Sequence, residues 1–441
     1  MPIKVCLISL GCAKNLVNSE QMLARMLDAG FVTVDEPGRA DVGIVNTCGF
    51  IDAAKMEAID NILYLGSLRE NGWQGKIIVT GCLAQRYGQE LLKEMPEIDG
   101  ILGTGSYTDI AEAVKDVMDS GRPALFGDID NTDEEGERIV STGPGWAYLK
   151  IAEGCSNRCA YCVIPKLRGR YRSRPMENIL EEAAALAGSG VKELIVVAQD
   201  ITRYGTDLYH RRCLGELLEE LCRIEGFEWI WLHYLYPDEI DDELLDVIAR
   251  EDKILKYLDI PIQHINDGIL RAMNRRGSGG EIRALFEKIR RKLPGVVLRT
   301  SIITGLPGEG EAEFEELCEF LRQARIERAG VFPYSPEEGT PAADMDRPDS
   351  ETAQRRAELL MGLQSEIMDD FNRKRLGSRT RVICEGFEPE RGLWLGRSYA
   401  ESPDIDGNVL ISGGKPVPGE FYEVELADVE DGELVGLIVE R

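Results

Sequence analysis

Short apolar runs alternate with amphipathic stretches over the first part of the chain. The runs KVCLISL, VGIVNTC and KIIVTGC predict strands, and the period of NSEQMLARMLDAG predicts a helix that stops at Gly30. A second helix is expected from about Ile51. Strands that alternate with helices form a parallel sheet, so residues 3–120 are predicted to be a doubly wound α/β domain.

A second α/β pattern occupies residues 141–371. Its six candidate strands are WAYLKIAEGC, ELIVVAQD, WIWLHYLYP, YLDIPIQH, VVLRTSIITGLPG and GVFPYSP. Six strand–helix units are too few for a closed eight-stranded barrel, so they predict an open, partial (βα)6 barrel. Its last helix, at about 351–376, is expected to end at Gly377 and to present one apolar face, made of Leu360, Leu363, Ile367 and Phe371.

The other two stretches differ from these in composition. Residues 121–140 are predicted to be a linker, because the sequence there is acidic, rich in Gly and without an apolar period. Residues 374–441 contain five short strand patterns separated by Gly, Pro and Asp, which predict a small all-β barrel. From Gly377 onward this segment has six basic and fourteen acidic residues.

Composition and charge narrow the possible functions. A formal net charge of −27 argues against non-specific binding to nucleic acid and suits a basic partner, although a well-solvated acidic surface explains it equally. No apolar run approaches the ~18 residues of a membrane helix, and no signal peptide is apparent. We therefore expect a cytoplasmic protein, in which the clustered members of the eleven cysteines bind metal or take part in catalysis.

Three cysteines follow the first predicted barrel strand. Cys155, Cys159 and Cys162 have the spacing C-x3-C-x2-C, and thiolates this close can bind one iron–sulfur cube. Three ligands leave one iron open, which catalysis at a metal requires, and barrel active sites lie at this end of the strands. The alternatives are a zinc ribbon that lacks one ligand and accidental clustering.

Three further cysteines each follow a predicted strand of the first domain. These are Cys12, Cys48 and Cys82. The carboxyl ends of parallel strands share one edge of a sheet, so we expect the three thiols to converge there and to hold a second cluster with an open iron. Cysteine is also a common buried residue, and that explanation suits Cys6, Cys213, Cys222, Cys318 and Cys384.

The cysteine spacing, with Tyr161 just before the third cysteine, resembles the signature of radical S-adenosylmethionine enzymes. SIITGLPGE at 301–309 resembles the region of that family beside the adenine, with Thr300 in place of its first glycine. The resemblance implies cofactor contacts at Tyr161, Gly305 and Gly308, and Gln199 and Gln263 at predicted strand ends are further candidates. Asp200, His264 and Tyr334 lie at similar positions.

Two three-cysteine sets, an α/β domain before the barrel and a small β-barrel after it together resemble the methylthiotransferases, whose terminal barrel is a TRAM domain. QDITRYGTDLY, CVIPKLRGRYRSRP and YLDIPIQHINDGILRAMNRR resemble the RimO branch, which modifies protein twelve of the small ribosomal subunit. The resemblance implies two 4Fe–4S clusters, S-adenosylmethionine, an external reductant and transfer of a methylthio group to the β-carbon of an aspartate. Cys155, Cys159 and Cys162 would be catalytic, and nucleic acid would not be the substrate.

A basic island lies next to the barrel cysteines and contains no acid in sequence. Its members are Arg158, Lys166, Arg168, Arg170, Arg172 and Arg174. We expect one or more of them to bind the target carboxylate or the cofactor carboxylate, while a solvated loop is the alternative. Two other functions stay open. A transfer RNA methylthiotransferase would bind RNA in a salt-dependent way, and a non-catalytic iron–sulfur or RNA-binding protein would not cleave S-adenosylmethionine.

Overall fold

The N-terminal domain is a six-stranded parallel sheet with helices on both faces. The structure is a computed structural model that describes residues 1–131 and 135–440, so residues 132–134 of the predicted linker lie outside the described residues. The strands are β1 Lys4–Ser9, β2 Val32–Thr33, β3 Val42–Thr47, β4 Lys76–Gly81, β5 Gly100–Leu102 and β6 Ala124–Leu125. The helices are α1 Ala13–Asp28, α2 Asp52–Glu70, α3 Cys82–Glu94 and α4 Ile110–Met118.

The strand order β2-β1-β3-β4-β5-β6 confirms the doubly wound prediction. One core packs Met22 and Met26 of α1 against the sheet with α4, and a second packs Ile62 and Leu65 of α2 against the opposite face with α3. The order reverses between β1 and β3, and such switch points are where open α/β sheets bind ligands.

Two local predictions in this domain were wrong. Helix α1 begins at Ala13, directly after Cys12, whereas the sequence pattern indicated a start at Asn18. The apolar period is hidden in its first turn because Lys14, Asn15 and Asn18 are polar yet buried. Strand β6 pairs with β5 and lies inside the stretch predicted as linker. The sequence pattern missed this strand because two residues are too few to show a period.

The central domain is an open barrel of six parallel strands with the order β14-β13-β12-β11-β10-β7, as predicted. Two short antiparallel strands, β8 and β9, flank the cysteine loop. The strands are β7 Trp146–Lys150, β8 Ala152–Glu153, β9 Arg172–Ser173, β10 Glu193–Val197, β11 Trp229–Leu232, β12 Ile254–Asp259, β13 Val297–Thr304 and β14 Arg328–Pro333. The helices are α5 Ile164–Arg168, α6 Met176–Gly188, α7 Leu214–Arg223, α8 Asp242–Arg250, α9 Asp267–Ala272, α10 Gly279–Lys292, α11 Glu311–Ala324 and α12 Ser350–Arg375.

The C-terminal segment closes into the predicted small barrel, with the strand order β15-β16-β17-β19-β18. Its strands are β15 Arg379–Glu388, β16 Leu393–Arg397, β17 Val409–Ser412, β18 Phe421–Glu430 and β19 Glu433–Glu440. Among the described residues, no helix has the length and apolarity that crossing a bilayer requires.

An aromatic core joins the three segments. Trp146, Trp231 and Tyr257 of the central barrel pack in one cluster with Val17 of α1 and Ile383 of the terminal barrel. The start of α1, where Cys12 lies, is therefore held against the central barrel.

Buried ion pairs fix the terminal barrel in place. Arg397 donates to both carboxylate oxygens of Glu193 at 2.7 and 2.6 Å. Glu401 accepts from Arg328 at 2.8 Å and from Arg375 at 2.6 Å, which connects it to β14 and to the end of α12. Burial alone would raise the pKa of Glu401, but the two arginines outweigh it and lower the pKa to about 2.

We expect the Glu401 carboxylate to make the free energy of unfolding depend on pH. The folded pKa of about 2 lies below the usual 4.5, so the stabilisation is complete above pH 4.5 and is lost as the pH falls towards 2. The shift corresponds to about 3 kcal/mol in the free energy of unfolding. Urea unfolding should show that the difference in the free energy of unfolding between wild type and Glu401→Gln narrows as the pH falls through this range. Glu390→Gln, at an exposed turn, is the matched control, and a gap independent of pH would contradict the assignment.

Candidate active site

The structure brings Cys12, Cys48 and Cys82 to one edge of the N-terminal sheet. Cys12 follows β1, Cys48 follows β3, and Cys82 is the first residue of α3. Cys12 and Cys48 flank the point where the strand order reverses. Gly11 has a φ of +90°, and a Cβ there would lie 2.7 Å from the Cβ of Cys48. Glycine at this position therefore allows the loops after β1 and β3 to approach each other.

Each thiol of this set affects the others electrostatically. Burial, followed by the thiols of Cys82 and Cys12, raises the pKa of Cys48 to about 12. Burial also raises the pKa of Cys82, although Arg168 opposes the shift. Cys12 lines a cavity and stays accessible. Burial opposes its ionisation, but Lys14 and Arg168 help to lower its pKa. Three adjacent thiolates are therefore expected only with a bound cation to offset their mutual repulsion.

Cys155, Cys159 and Cys162 lie on the loop after β8, beside the carboxyl end of the first barrel strand. The backbone N–H of Cys162 donates to the carbonyl of Cys159 at 3.0 Å, and all three side chains are partly accessible. Burial is the main cause that raises the pKa of Cys155 to about 11, and it also raises the pKa of Cys162. The loop thus presents three thiols at the barrel mouth.

Both sets have the donor chemistry of an iron–sulfur site. All eleven cysteines are free thiols. Within residues 1–131 and 135–440, no three His, Cys, Asp or Glu side chains are placed to hold a single metal ion together. In an iron–sulfur cube each thiolate binds a different iron, so the sulfur atoms stand further apart than the ligands of one ion. Thiols are the ligands that iron–sulfur clusters take, so the donor chemistry of each set is compatible with a cube.

Arg168 and Gly169 connect the two sets. Nε of Arg168 donates to Sγ of Cys82 at 3.3 Å, and the carbonyl of Gly169 accepts from the backbone N–H of Cys155 at 3.1 Å. Val163, in the same loop, packs against the Cys82 side chain. Consecutive residues of the central barrel thus contact one cysteine of each set, which places the two sets side by side.

The Arg168 side chain is buried and fully used by protein groups. Nη1 donates to Oδ1 of Asn18 at 2.6 Å and lies 3.2 Å from Oε2 of Glu153. Nη2 donates to Oδ1 of Asn15 at 2.8 Å. Because Asn15 and Asn18 belong to α1, this one guanidinium joins the barrel to the N-terminal domain.

Glu153 lies two residues before Cys155, and its carboxylate accepts hydrogen bonds from several donors. Nζ of Lys150 lies 3.1 Å from Oε2, and Nε2 of Gln199 donates to Oε1 at 2.6 Å. Burial opposes ionisation, yet Lys150 and Arg168 hold the pKa of Glu153 below its usual range. Gln199 therefore orients the Glu153 carboxylate. The side-chain Oε1 of Gln199 is itself buried without a hydrogen-bond partner among the described residues.

The other predicted cofactor contacts surround the barrel mouth. The buried Tyr161 hydroxyl accepts from an arginine at 3.2 Å. Gln263 has a φ of 71° and its backbone pairs with β13. Gly305 borders a cavity of about 430 Å³, and a Cβ on Gly305 would lie 2.4 Å from that of Ala353 in α12. Gly308 also has a positive φ, of 85°. The packing of α12 therefore requires glycine at 305, whether or not this residue contacts a cofactor.

The basic island is not free of acids in three dimensions, which corrects the sequence-based expectation. The acidic partners come from other parts of the chain: Glu153 for Arg168, Asp130 for Arg170, and Glu135 with Glu182 for Arg174. Lys166 donates to the carbonyl of Gly339, and Arg158 is exposed. The buried arginines Arg168 and Arg174 are therefore neutralised within the protein.

Sequence reasoning missed three charged residues of the site. Glu153 lies in the quoted EGC stretch, and Lys14 lies two residues after Cys12, so adjacency to a cysteine could have indicated both. Arg275 donates to the Tyr161 hydroxyl and lies 3.8 Å from Sγ of Cys159. It is more than a hundred positions from that cysteine in sequence, and no local pattern indicates the contact.

Three family models match separate parts of the chain. The Radical SAM superfamily matches residues 149–321, Uncharacterized protein family UPF0004 matches residues 4–103, and the TRAM domain matches residues 376–439. These matches correspond to the central barrel, the N-terminal sheet and the terminal barrel.

Curated relatives match over nearly the whole chain. A protein of Pelotomaculum thermopropionicum is 48% identical, covering 99% of this chain and 99% of its own. One of Lachnoclostridium phytofermentans is 46% identical over 98% of this chain and 99% of its own. Both are named ribosomal protein uS12 methylthiotransferase RimO. The chain belongs to this RimO family.

Solved structures show that the RimO fold is shared more widely. A radical S-adenosylmethionine methyltransferase, TsrM from Kitasatospora setae, has a TM-score of 0.60 at 14% identity, covering 78% of this chain and 77% of that one. The radical enzyme OxsB has a TM-score of 0.51 at 12% identity, covering 84% of this chain and 56% of that one. At such identities these two matches concern the fold alone.

Proposed function

We infer that the chain is a methylthiotransferase that modifies the β-carbon of an aspartate in ribosomal protein uS12 by radical S-adenosylmethionine chemistry. Full-length relatives named for this activity support the reaction and the substrate. The observation that carries the inference is the contact of Arg168 and Gly169 with one cysteine of each set. A second thiol set beside the radical site suits sulfur insertion, for which one cluster alone offers no source of a methylated sulfur.

We assign one 4Fe–4S cluster to each cysteine set. Cys155, Cys159 and Cys162 would bind the cluster that holds one S-adenosylmethionine, and Cys12, Cys48 and Cys82 would bind the auxiliary cluster. When bound, these groups supply an electron, a hydrogen-abstracting radical and a methylated sulfur, at a cost of two S-adenosylmethionine molecules per product. An unactivated C–H bond has no acidic proton, so acid–base catalysis alone would not serve.

The protein's own residues would position these groups. We assign Tyr161, Gln199, Gln263, Gly305 and Gly308 to the border of the S-adenosylmethionine site, because all five lie around the barrel mouth or contact the residues before the cysteine loop. An external reductant supplies the electron. Glu153 and Arg168 keep the loop of the barrel set fixed against α1.

Each of the three segments has its own role in the proposed function. We propose that residues 3–120 form the auxiliary-cluster domain, 141–371 the radical domain and 374–441 the TRAM domain, with the family matches in support. A ribosomal substrate favours a location in the cytoplasm. The net charge of −27 suits a basic ribosomal protein, because opposite charge speeds encounter.

Product analysis tests the substrate directly. We expect reconstituted enzyme with reductant and S-adenosylmethionine to add one methylthio group in place of one hydrogen on uS12, and none on transfer RNA, as measured by mass spectrometry. Cys155→Ala is the matched control and should give neither product nor 5′-deoxyadenosine. Modification of RNA alone would assign the chain to the transfer RNA reaction, and absence of 5′-deoxyadenosine with wild type would leave only a non-catalytic role.

A further inference from the structure

A cavity of about 220 Å³ lies beside Cys12, and all three segments of the chain line it. Its walls include Leu10 and Cys12 from the N-terminal domain, Tyr148 and Tyr234 from the central barrel, and Asp404 from the terminal barrel. Cys12 is exposed, so a group inside the cavity can reach the auxiliary cysteine. The volume is several times the ~30 Å³ that one water occupies in the liquid, so an amino-acid side chain fits.

The terminal barrel reaches this cavity through the loop between β16 and β17. Oγ of Ser402 in that loop lies 2.9 Å from Nε2 of His233. The hydroxyl of Tyr257 donates to Oδ2 of Asp406 at 2.7 Å. Both contacts are made with the central barrel, one on each side of Asp404 in sequence. The loop is therefore fixed, and Asp404 has a defined place in the cavity wall.

The conformation of Asp404 presents its carboxylate to the cavity. Its φ is 58°, in the left-handed region, which aspartate and asparagine tolerate better than most residues with a Cβ. The side chain stays accessible, and the Tyr148 hydroxyl donates a hydrogen bond to its carboxylate. A carboxylate has about four acceptor positions, so one hydroxyl leaves room for a further donor.

No cation of the described chain pairs with this carboxylate. Among the described residues that line the cavity, Asp404 is the only Asp, Glu, Lys or Arg, and burial lowers the pKa of His233 to about 4, so that ring is neutral. Partial burial and Glu385 raise the pKa of Asp404, whereas Arg397 opposes the shift. Arg397 is itself bound to Glu193 and Glu385. The cavity wall thus carries an acid without a salt bridge in residues 1–131 and 135–440.

These features favour a cationic group at Asp404. A carboxylate that is partly removed from water and has no counter-charge gains most from a cation. Two carboxylates repel each other, so the target aspartate itself is not the group that Asp404 binds. A basic ribosomal protein offers lysine and arginine side chains, and the net charge of −27 on this chain already suits such a partner.

We propose that Asp404 of the terminal barrel binds a lysine or arginine side chain of uS12 that lies close to the target aspartate, and so helps to place the target at Cys12. This inference rests on the proposed function. It gives the terminal barrel a specific contact in the site, beyond the general attraction between an acidic enzyme and a basic protein. Asp404 then contributes to substrate recognition, while the two cysteine sets carry the reaction.

Two variants remove the charge and keep the loop. Asparagine at 404 has nearly the same shape, and glycine accommodates a left-handed backbone without strain, so Asp404→Asn and Asp404→Gly are both suitable. Asp431→Asn is the matched control, because Asp431 is an exposed aspartate of the same barrel with a φ of 49°. S-adenosylmethionine also carries positive charge, so the readouts are kcat, KM for uS12, KM for S-adenosylmethionine and iron content. Each enzyme is assayed with uS12 and with uS12 variants in which one lysine or arginine near the target is glutamine.

We expect both Asp404 variants to raise KM for uS12 by about fivefold, as for loss of one partly exposed ion pair. One of the uS12 variants should raise the KM of wild-type enzyme by a similar factor. The same uS12 variant should cause no further rise with Asp404→Asn, because the two changes remove one shared contact. The kcat, the iron content and KM for S-adenosylmethionine should match wild type and Asp431→Asn.

Four results would overturn the proposal. A KM for uS12 equal to that of Asp431→Asn would show that Asp404 does not contact the substrate. Effects that add for every uS12 variant would show that Asp404 binds none of those cations. A rise confined to KM for S-adenosylmethionine would assign Asp404 to the cofactor, and loss of iron in both variants would assign it to the stability of the site. If wild type does not modify uS12 at all, the proposed function fails instead, so the two failures are distinct.

Discussion

Replacement of Cys12, Cys48 and Cys82 by alanine is expected to remove about half of the iron and sulfide and to abolish transfer of the methylthio group. Cleavage of S-adenosylmethionine should continue, because the barrel set Cys155, Cys159 and Cys162 stays intact. Replacement of the barrel set should also remove about half of the iron, since we assign one cluster to each set. That variant should give no 5′-deoxyadenosine. Iron and sulfide assays with product analysis separate the two variants.

Cys6→Ala is the matched control for this experiment. Cys6 is buried in β1, close in sequence to Cys12, and its thiol donates to the carbonyl of Asp35 at 3.6 Å. Iron content and both products should equal those of wild type. Unchanged iron in the variant of the first set would contradict the auxiliary cluster, and continued methylthio transfer would contradict its role in the reaction.

Replacement of Arg168 by methionine is expected to cause the largest loss of stability of a single substitution in the site. It removes three hydrogen-bond contacts that join the barrel to α1 and to Cys82, and a fourth contact with Glu153 within the barrel domain. Loss of one partner of a buried ion pair costs about 3 kcal/mol, at the lower end of the usual range because Lys150 and Gln199 still hold Glu153. Urea unfolding measures that loss.

The same variant should change the electronic properties of the auxiliary cluster. Hydrogen bonds to the thiolate ligands help to set the reduction potential of a cluster. Loss of a cationic donor at Cys82 disfavours the reduced, more negative state, so the potential should become more negative in an electron paramagnetic resonance titration. Arg170→Met is the control, because that side chain is 78% exposed and pairs with Asp130 at the surface. It should change stability by less than about 0.5 kcal/mol. Equal potentials in wild type and Arg168→Met would contradict the hydrogen bond to the cluster ligand.

Much of the fold was accessible from the sequence. Repeated apolar runs between amphipathic stretches predict both parallel sheets, because a buried parallel strand must be apolar on both faces. The apolar face of α12 was found in the same way, and Leu360 and Ile367 are indeed buried there. Glycine and proline between short strands predicted the terminal barrel.

The connections between segments were not accessible in this way. Arg168 contacts Asn18 and Cys82, which are 150 and 86 positions away, and no local period encodes such contacts. The basic island illustrates the same limit, because its acidic partners come from outside the island once the chain folds. Adjacency to a cysteine would have indicated Lys14, but burial and the contact with Tyr234 become evident only in three dimensions.

The account depends on two iron–sulfur clusters held side by side by the two cysteine sets. Electron paramagnetic resonance of the reduced enzyme tests this most directly, because the magnetic coupling of two reduced clusters falls steeply with their separation. We expect the spectrum of wild type to show coupled clusters, and each triple alanine variant to give the uncoupled spectrum of the cluster that remains. A wild-type spectrum equal to the simple sum of the two variant spectra would contradict the placement of both clusters at one site.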